Sequence, residues 1–140
     1  MLKAVLDTNI LVSGIILDKG LPHQVVKAWE QGKYLLVSSR DQIDELKRVL
    51  EYPKIKRKYG LTSAQIRRVV LNVYRYSVIV GNPPKWNLEM NDPSDELILA
   101  AAVGGGADVI VSGDQALLSI GSFRGIDILT AREFVSERLR

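Results

Sequence analysis

Apolar positions along the chain alternate between two kinds of segment. One kind is short and solidly apolar: Leu2-Lys3-Ala4-Val5-Leu6, Tyr34-Leu35-Leu36-Val37, Tyr76-Ser77-Val78-Ile79-Val80, Val109-Ile110-Val111 and Asp127-Ile128-Leu129. Each is closed by polar or turn-forming residues, as expected of a strand buried on both faces. The other kind is longer, with apolar residues three and four apart. Val25 to Glu30 stops at Gly32, and Asp41 to Leu50 places Ile43, Leu46, Val49 and Leu50 on one stripe before Pro53. Ser63 to Tyr76 follows a Thr62/Ser63 cap, Pro93 to Val103 runs into Gly104-Gly105-Gly106, and Ala131 to Leu139 comes last. That spacing predicts helices with one buried face. A Pro-containing loop is expected from Gly81 to Asn91.

Strands alternating with helices predict a parallel sheet covered on both sides, an α/β three-layer α/β/α sandwich. No repeat, linker or low-complexity tract interrupts residues 1–140, so a single domain is expected. In open sheets of this class the ligand site lies at the carboxyl ends of the strands. Acids placed there are therefore the first candidates for chemistry.

Composition narrows that chemistry. The chain is 46% hydrophobic and 25% charged, an ordinary globular balance. It has no cysteine, which removes disulfides, a thiol nucleophile and Cys-zinc sites, and suits the cytoplasm as the expected location. The N-terminal apolar stretch is broken by Asp7 and Asn9, and no run approaches the roughly 18 apolar residues of a membrane span. Neither export nor membrane insertion is expected. The lone His23, in a Gly20-Leu21-Pro22 turn, reads as a solvated helix-start residue, so a histidine base or His-rich zinc site is not expected. A net charge of +3 permits an acidic partner without requiring one.

Four acids fall on or near the expected edge. Asp7 follows the first strand, and Asp114 follows Val109-Ile110-Val111 through Ser112-Gly113. Glu45 lies near the start of the helix after the second strand, and Asp95 near the start of the helix opened by Asp92-Pro93. Singly, each has a structural account. Asp7 and Asp114 suit helix caps, Glu45 a solvated helix position, and Asp95 a capping-box partner of Asp92. Jointly, capping does not explain four acids on one edge with no lysine among them. Like charges so close resist ionisation unless a cation neutralises them, and an all-oxygen donor set suits Mg²⁺ or Mn²⁺. Phosphodiester hydrolysis is the chemistry such a site supports.

In these residues the sequence resembles the PIN domain family, and in particular the single-domain toxins of prokaryotic toxin–antitoxin pairs. The resemblance rests on Val5-Leu6-Asp7-Thr8-Asn9-Ile10-Leu11-Val12, on Ser39 spaced to Glu45-Leu46, and on Asp92-Pro93-Ser94-Asp95-Glu96. The stretch Gly106 to Asp114 followed by Gln115-Ala116-Leu117-Leu118 completes it. It implies an endoribonuclease acting on single-stranded RNA, with Mg²⁺ or Mn²⁺ bound by Asp7, Glu45, Asp95 and Asp114. It also implies that Asn9, Ser112 and Asp92 hold the carboxylates or a phosphate oxygen. Asp95 is preferred as third ligand because Ile98, Leu99 and Ala102 follow it at helical spacing; Asp92, expected to cap the helix, and Glu96 are its alternatives. A small antitoxin and a homodimer or higher oligomer are the implied protein partners.

Lys54, Lys56, Arg57 and Lys58, with Arg67 and Arg68, are candidate contacts to an RNA backbone, set against a solvated helix face. Trp29 sits on an apolar stripe and is expected in the core, whereas Trp86 in the Pro83-Pro84-Lys85 loop suits either core or base stacking. Two other enzyme classes fit less well. An aspartyl-nucleophile phosphatase needs an acid where Asn9 stands, and a receiver domain needs an N-terminal acidic pair. The remaining alternative is a catalytically silent PIN-like module that binds RNA or protein.

Overall fold

The computed structural model describes residues 1–84, 90 and 92–139. Trp86 and most of the Gly81 to Asn91 loop therefore lie outside the described residues. Among these, the order is β1 (Lys3–Leu6), α1 (Thr8–Ile16), α2 (Leu21–Glu30), β2 (Leu35–Ser39), α3 (Arg40–Leu50), α4 (Pro53–Lys58) and α5 (Ser63–Arg75). Then follow β3 (Ser77–Val80), α6 (Pro93–Gly104), β4 (Val109–Val111), α7 (Gln115–Leu118), β5 (Ser122–Phe123), β6 (Ile126–Leu129) and α8 (Ala131–Glu137). The strands form one sheet in the order β3-β2-β1-β4-β6-β5, parallel except for β5.

The alternation of side chains along a strand divides the core in two. Ala4 and Leu6 of β1 join Val109 and Val111 of β4 beneath α1, α2, α3, α5 and α8. Val5 and Ile110, one residue out of phase, face α6 and α7 instead. This is the expected α/β/α sandwich. Tyr34 fills the first layer. Its hydroxyl donates to Val25 O at 2.8 Å, its ring meets Phe134 edge-to-face at 5.1 Å, and burial pushes its pKa up. Trp29 packs against the same layer, its indole donating to Tyr76 O at 3.2 Å.

On the other face the Gly104-Gly105 pair is a packing device rather than a simple break. A Cβ on Gly105 would stand 2.4 Å from Val37 Cγ1, and one on Gly104 would stand 2.7 Å from Val80 Cγ1. Only hydrogen at those positions lets the end of α6 lie on β2 and β3.

Two elements depart from the periodicity. Pro53 opens α4 at its first turn instead of simply ending α3, since proline's missing N–H costs nothing there. The strand β5 has only two residues, too few to show a period, and turns into β6 through Arg124 (φ 51°) and Gly125 (φ 80°). Tyr76 closes α5 rather than starting β3.

Candidate metal centre

The sheet order changes direction between β1 and β4. The chain moves outward from β1 to β2 and β3 on one side, and from β4 to β6 on the other. Their carboxyl ends therefore flank the crevice where open parallel sheets bind ligands. Leu6 and Val111 are in register, so the residues that follow them, Asp7 and Ser112, leave the sheet side by side.

Asp7 is buried and heavily engaged. One carboxylate oxygen, Oδ1, accepts from Ile10 N at 2.8 Å and caps α1. The other, Oδ2, accepts a short hydrogen bond from Ser112 Oγ and a longer one, 3.3 Å, from Gly113 N. Ser112, wholly buried, also accepts from Asp114 N at 3.0 Å. Its hydroxyl thus joins the two acids that end β1 and β4. Asp114 caps α7, accepting from Ala116 N at 2.7 Å.

The third arm comes from α6. Asp92 caps this helix with Oδ1, which accepts from Ser94 N at 3.0 Å and Ser94 Oγ at 2.7 Å. Those bonds hold its carboxyl below the usual range, the hydroxyl contributing most. Capping therefore does not use the Asp95 carboxylate. Asp95 is only 4% exposed, and its Oδ2 is sealed from solvent with no hydrogen-bond partner among the described residues. Burial, then the charge of Asp114, then that of Asp92, then a hydrogen bond with Asp114 and the charge of Asp7, push its pKa up to about 6.

Oxygens of Asp92, Asp95 and Asp114 lie within 4.8 Å of one another. A buried carboxylate with one oxygen unpartnered, beside two more carboxylates, is unstable as a cluster of anions. It fits a hard divalent cation, for which three oxygen donors of this kind are suitable ligands. Asp7 is not in that trio, but its charge acts on Asp95 and Ser112 ties it to Asp114. Asp92, assigned to a supporting role from sequence, shares that cluster with Asp95 and Asp114, from its exposed side.

The remaining candidates are not part of the trio. Glu45, half-buried in the second turn of α3, is not in the trio. Glu96 accepts from Met90 N at 3.4 Å, toward the loop before α6. Asn9 is exposed in the first turn of α1. Of the basic residues, Lys56 is held by Glu51 (3.1 Å) and Ser63 Oγ (2.7 Å), tying α4 to the start of α5. Lys58 lies over the Tyr59 ring at 5.3 Å, while Lys54 and Arg57 are exposed. A cavity of about 620 Å³ opens at the opposite edge, where β2 and β3 begin, lined by Trp29, Tyr34, Val73 and Tyr76. Its lining is mainly apolar, so volume does not mark the chemistry here.

Sequence reasoning missed Gln42. It is 3% exposed, accepts from Ser38 Oγ at 2.7 Å and donates to Leu6 O. The available signal was a polar residue four positions before Leu46, on the otherwise apolar stripe of α3.

Comparison with known proteins agrees with this geometry. An uncharacterized protein of Methanocaldococcus jannaschii is 26% identical over 119 residues, covering 85% of this chain and 75% of that protein. The PIN domain family profile matches residues 3–116, from the first residue of β1 past Asp114. The chain belongs to the PIN domain family, whose members are in general metal-dependent nucleases acting on RNA.

Proposed function

We propose that this chain is an endoribonuclease that hydrolyses phosphodiester bonds of single-stranded RNA with Mg²⁺ or Mn²⁺. The observation that carries this reading is Asp95, whose carboxylate is clustered with those of Asp92 and Asp114 and whose Oδ2 is buried with no hydrogen-bond partner among the described residues. Asp95, Asp114 and Asp92 would hold the ion, with Asp7 and Glu45 as further donors. A divalent ion at such a site acidifies bound water and offsets charge developing on the attacked phosphate. Within the chain, Ser112 keeps the Asp7 carboxylate aimed beside Asp114, and the α6 cap leaves Asp95 facing the other acids. Burial of Asp7 and Asp95 keeps water from competing for their oxygens. Exposed Lys54 and Arg57 supply positive charge for a phosphate backbone, with a salt-sensitive contribution to binding.

The toxin-like motifs extend the proposal to a cytoplasmic toxin working as a homodimer or higher oligomer, with a small antitoxin covering the acidic crevice. No helix among the described residues is long and apolar enough to cross a membrane, so no membrane partner is included. The test is cleavage of an unstructured RNA oligonucleotide with Mn²⁺, then with EDTA, in the unsubstituted protein and in Asp7→Asn. Metal-dependent cleavage lost in Asp7→Asn is the expected result. Cleavage that survives both EDTA and the substitution would overturn the mechanism. Metal-independent RNA binding without cleavage would favour a silent binding module.

A further inference from the structure

We infer that Gln42 is a positioning residue for this site, clamping the peptide unit that carries Asp7 and tethering α3 beside it. The inference rests on the metal-dependent reading proposed above. The C=O of Leu6 and the N–H of Asp7 belong to one planar peptide group. On the β4 side, Asp7 N donates to Val111 O at 2.9 Å. On the β2 side, the in-register pairs with β1 are Lys3↔Leu35 and Ala4↔Leu36, which stop short of Leu6. The Gln42 carboxamide reaches across that gap and donates to Leu6 O. The peptide ahead of Asp7 is thus held at both ends, by β4 through its N–H and by α3 through its carbonyl.

The orientation of the carboxamide is itself fixed. Ser38 Oγ donates to Gln42 Oε1 at 2.7 Å, which assigns Oε1 as the acceptor and leaves Nε2 to point at Leu6. Ser39 Oγ, the cap of α3, accepts from Gln42 N at 3.2 Å. Ser38, Ser39 and Gln42 are all buried, so the network is shielded from exchange with water. Glu45 stands three positions further along α3, the neighbouring place on the helix surface. Gln42 therefore sets one spacing with two consequences: the plane from which the Asp7 side chain departs, and the distance of Glu45 from it.

A leucine of similar size at this position would fill the space but could not donate to Leu6 O. The experiment compares Gln42→Leu and Ser38→Ala with the unsubstituted protein and with Ile66→Val, a core substitution on α5 that serves as a stability control. Each is assayed for kcat and KM on an unstructured RNA with Mn²⁺, for Mn²⁺ affinity by calorimetry, and for thermal midpoint. In Gln42→Leu, kcat is expected to fall about 10- to 100-fold and Mn²⁺ affinity about 10-fold, with KM within about threefold. Ser38→Ala, which keeps the donor but frees the carboxamide, is expected to show a smaller loss in the same direction. Combining Gln42→Leu with Glu45→Gln should cost less than the product of the single effects, because both act on one spacing. Unchanged kcat and Mn²⁺ affinity in a folded Gln42→Leu protein would overturn the inference. So would equal losses in Gln42→Leu and an Ile66→Val protein of matched thermal midpoint. If Gln42→Leu does not fold, full activity in Ser38→Ala overturns it. An unsubstituted protein that neither binds Mn²⁺ nor cleaves RNA refutes the metal-dependent reading itself, and this inference with it.

Discussion

Two helices of this chain begin with the same arrangement and come to opposite electrostatic ends. In α8, Thr130 caps the helix and Glu133 stands at its third position; in α6, Asp92 caps and Asp95 stands at the third position. Glu133 closes a reciprocal capping box. Its carboxylate accepts from Thr130 N and Oγ1, and these bonds hold its pKa below the ordinary range. Asp95 is turned inward among Asp92, Asp114 and Asp7, and its pKa is raised. A helix start therefore does not determine what an acid there is for. What differs is whether the acid finds donors of its own helix or other acids. The first arrangement stabilises the fold; the second costs stability and is the one that suits a metal ion.

The sharpest way to break this contrast is Asp95→Asn. It removes one charge from the crowded trio and should lower Mn²⁺-dependent RNA cleavage by at least about 100-fold, as expected for loss of an ionised metal ligand. In EDTA at neutral pH the same substitution should make the protein more stable, by up to about 3 kcal/mol, because Asn never has to carry the charge that burial disfavours. Urea unfolding with and without Mn²⁺ measures both halves. A variant that loses activity and apo stability together would mean that Asp95 is a structural residue after all.

The acidic trio also predicts a pH dependence with a definite sign. Asp95 has a folded pKa of about 6 against an ordinary 3.8, so the folded protein holds the proton more tightly than the unfolded chain does. Its contribution is fully present below about pH 4 and is lost as pH rises through about 6, a change of up to about 3 kcal/mol. Relative to Asp95→Asn, the metal-free protein should weaken across that window and regain stability when Mn²⁺ is added. A flat difference between the two proteins from pH 4 to 7 would show that Asp95 does not titrate within the cluster.

How much of this was legible in the sequence depends on what kind of information each feature needs. The solid strands and their helices were readable because burial on two faces leaves an apolar signature over several residues. Alternation along β1 even divides Val5 from Ala4 and Leu6 between the two layers. β5 was not readable, since two residues carry no period, and Pro53 looked like a stop because the same residue ends one helix and begins another. Asp7 and Asp114 were visible as candidates because strand ends place them. Asp92 reads from sequence as a helix cap, and spacing cannot say that a capping carboxylate also lies within 4.8 Å of two others. Glu45, placed at the site by its spacing, stands outside the trio, as Asp7 does. Gln42 was hidden because its importance lies in a carbonyl 36 positions earlier in the chain.

The smallest effect is expected at the other member of the pair. Thr130→Ala removes the acceptor for Glu133 N and one donor to the Glu133 carboxylate, and loss of such a cap costs about 1 kcal/mol. Because the Glu133 pKa is lowered on folding, its share of that stability is present above its ordinary 4.5 and is lost as pH falls through the folded value. The gap in denaturation midpoint between the unsubstituted protein and Thr130→Ala should therefore narrow on acidification, whereas the penalty at Asp95 appears on going the other way. Cleavage of RNA by Thr130→Ala should match the unsubstituted protein, since α8 packs on the opposite layer from α6. Activity lost in proportion to stability would erase the distinction between the two helix starts. A narrowing gap with activity intact would place opposite pH slopes at the same helical position within one chain, set only by which neighbours each carboxylate meets.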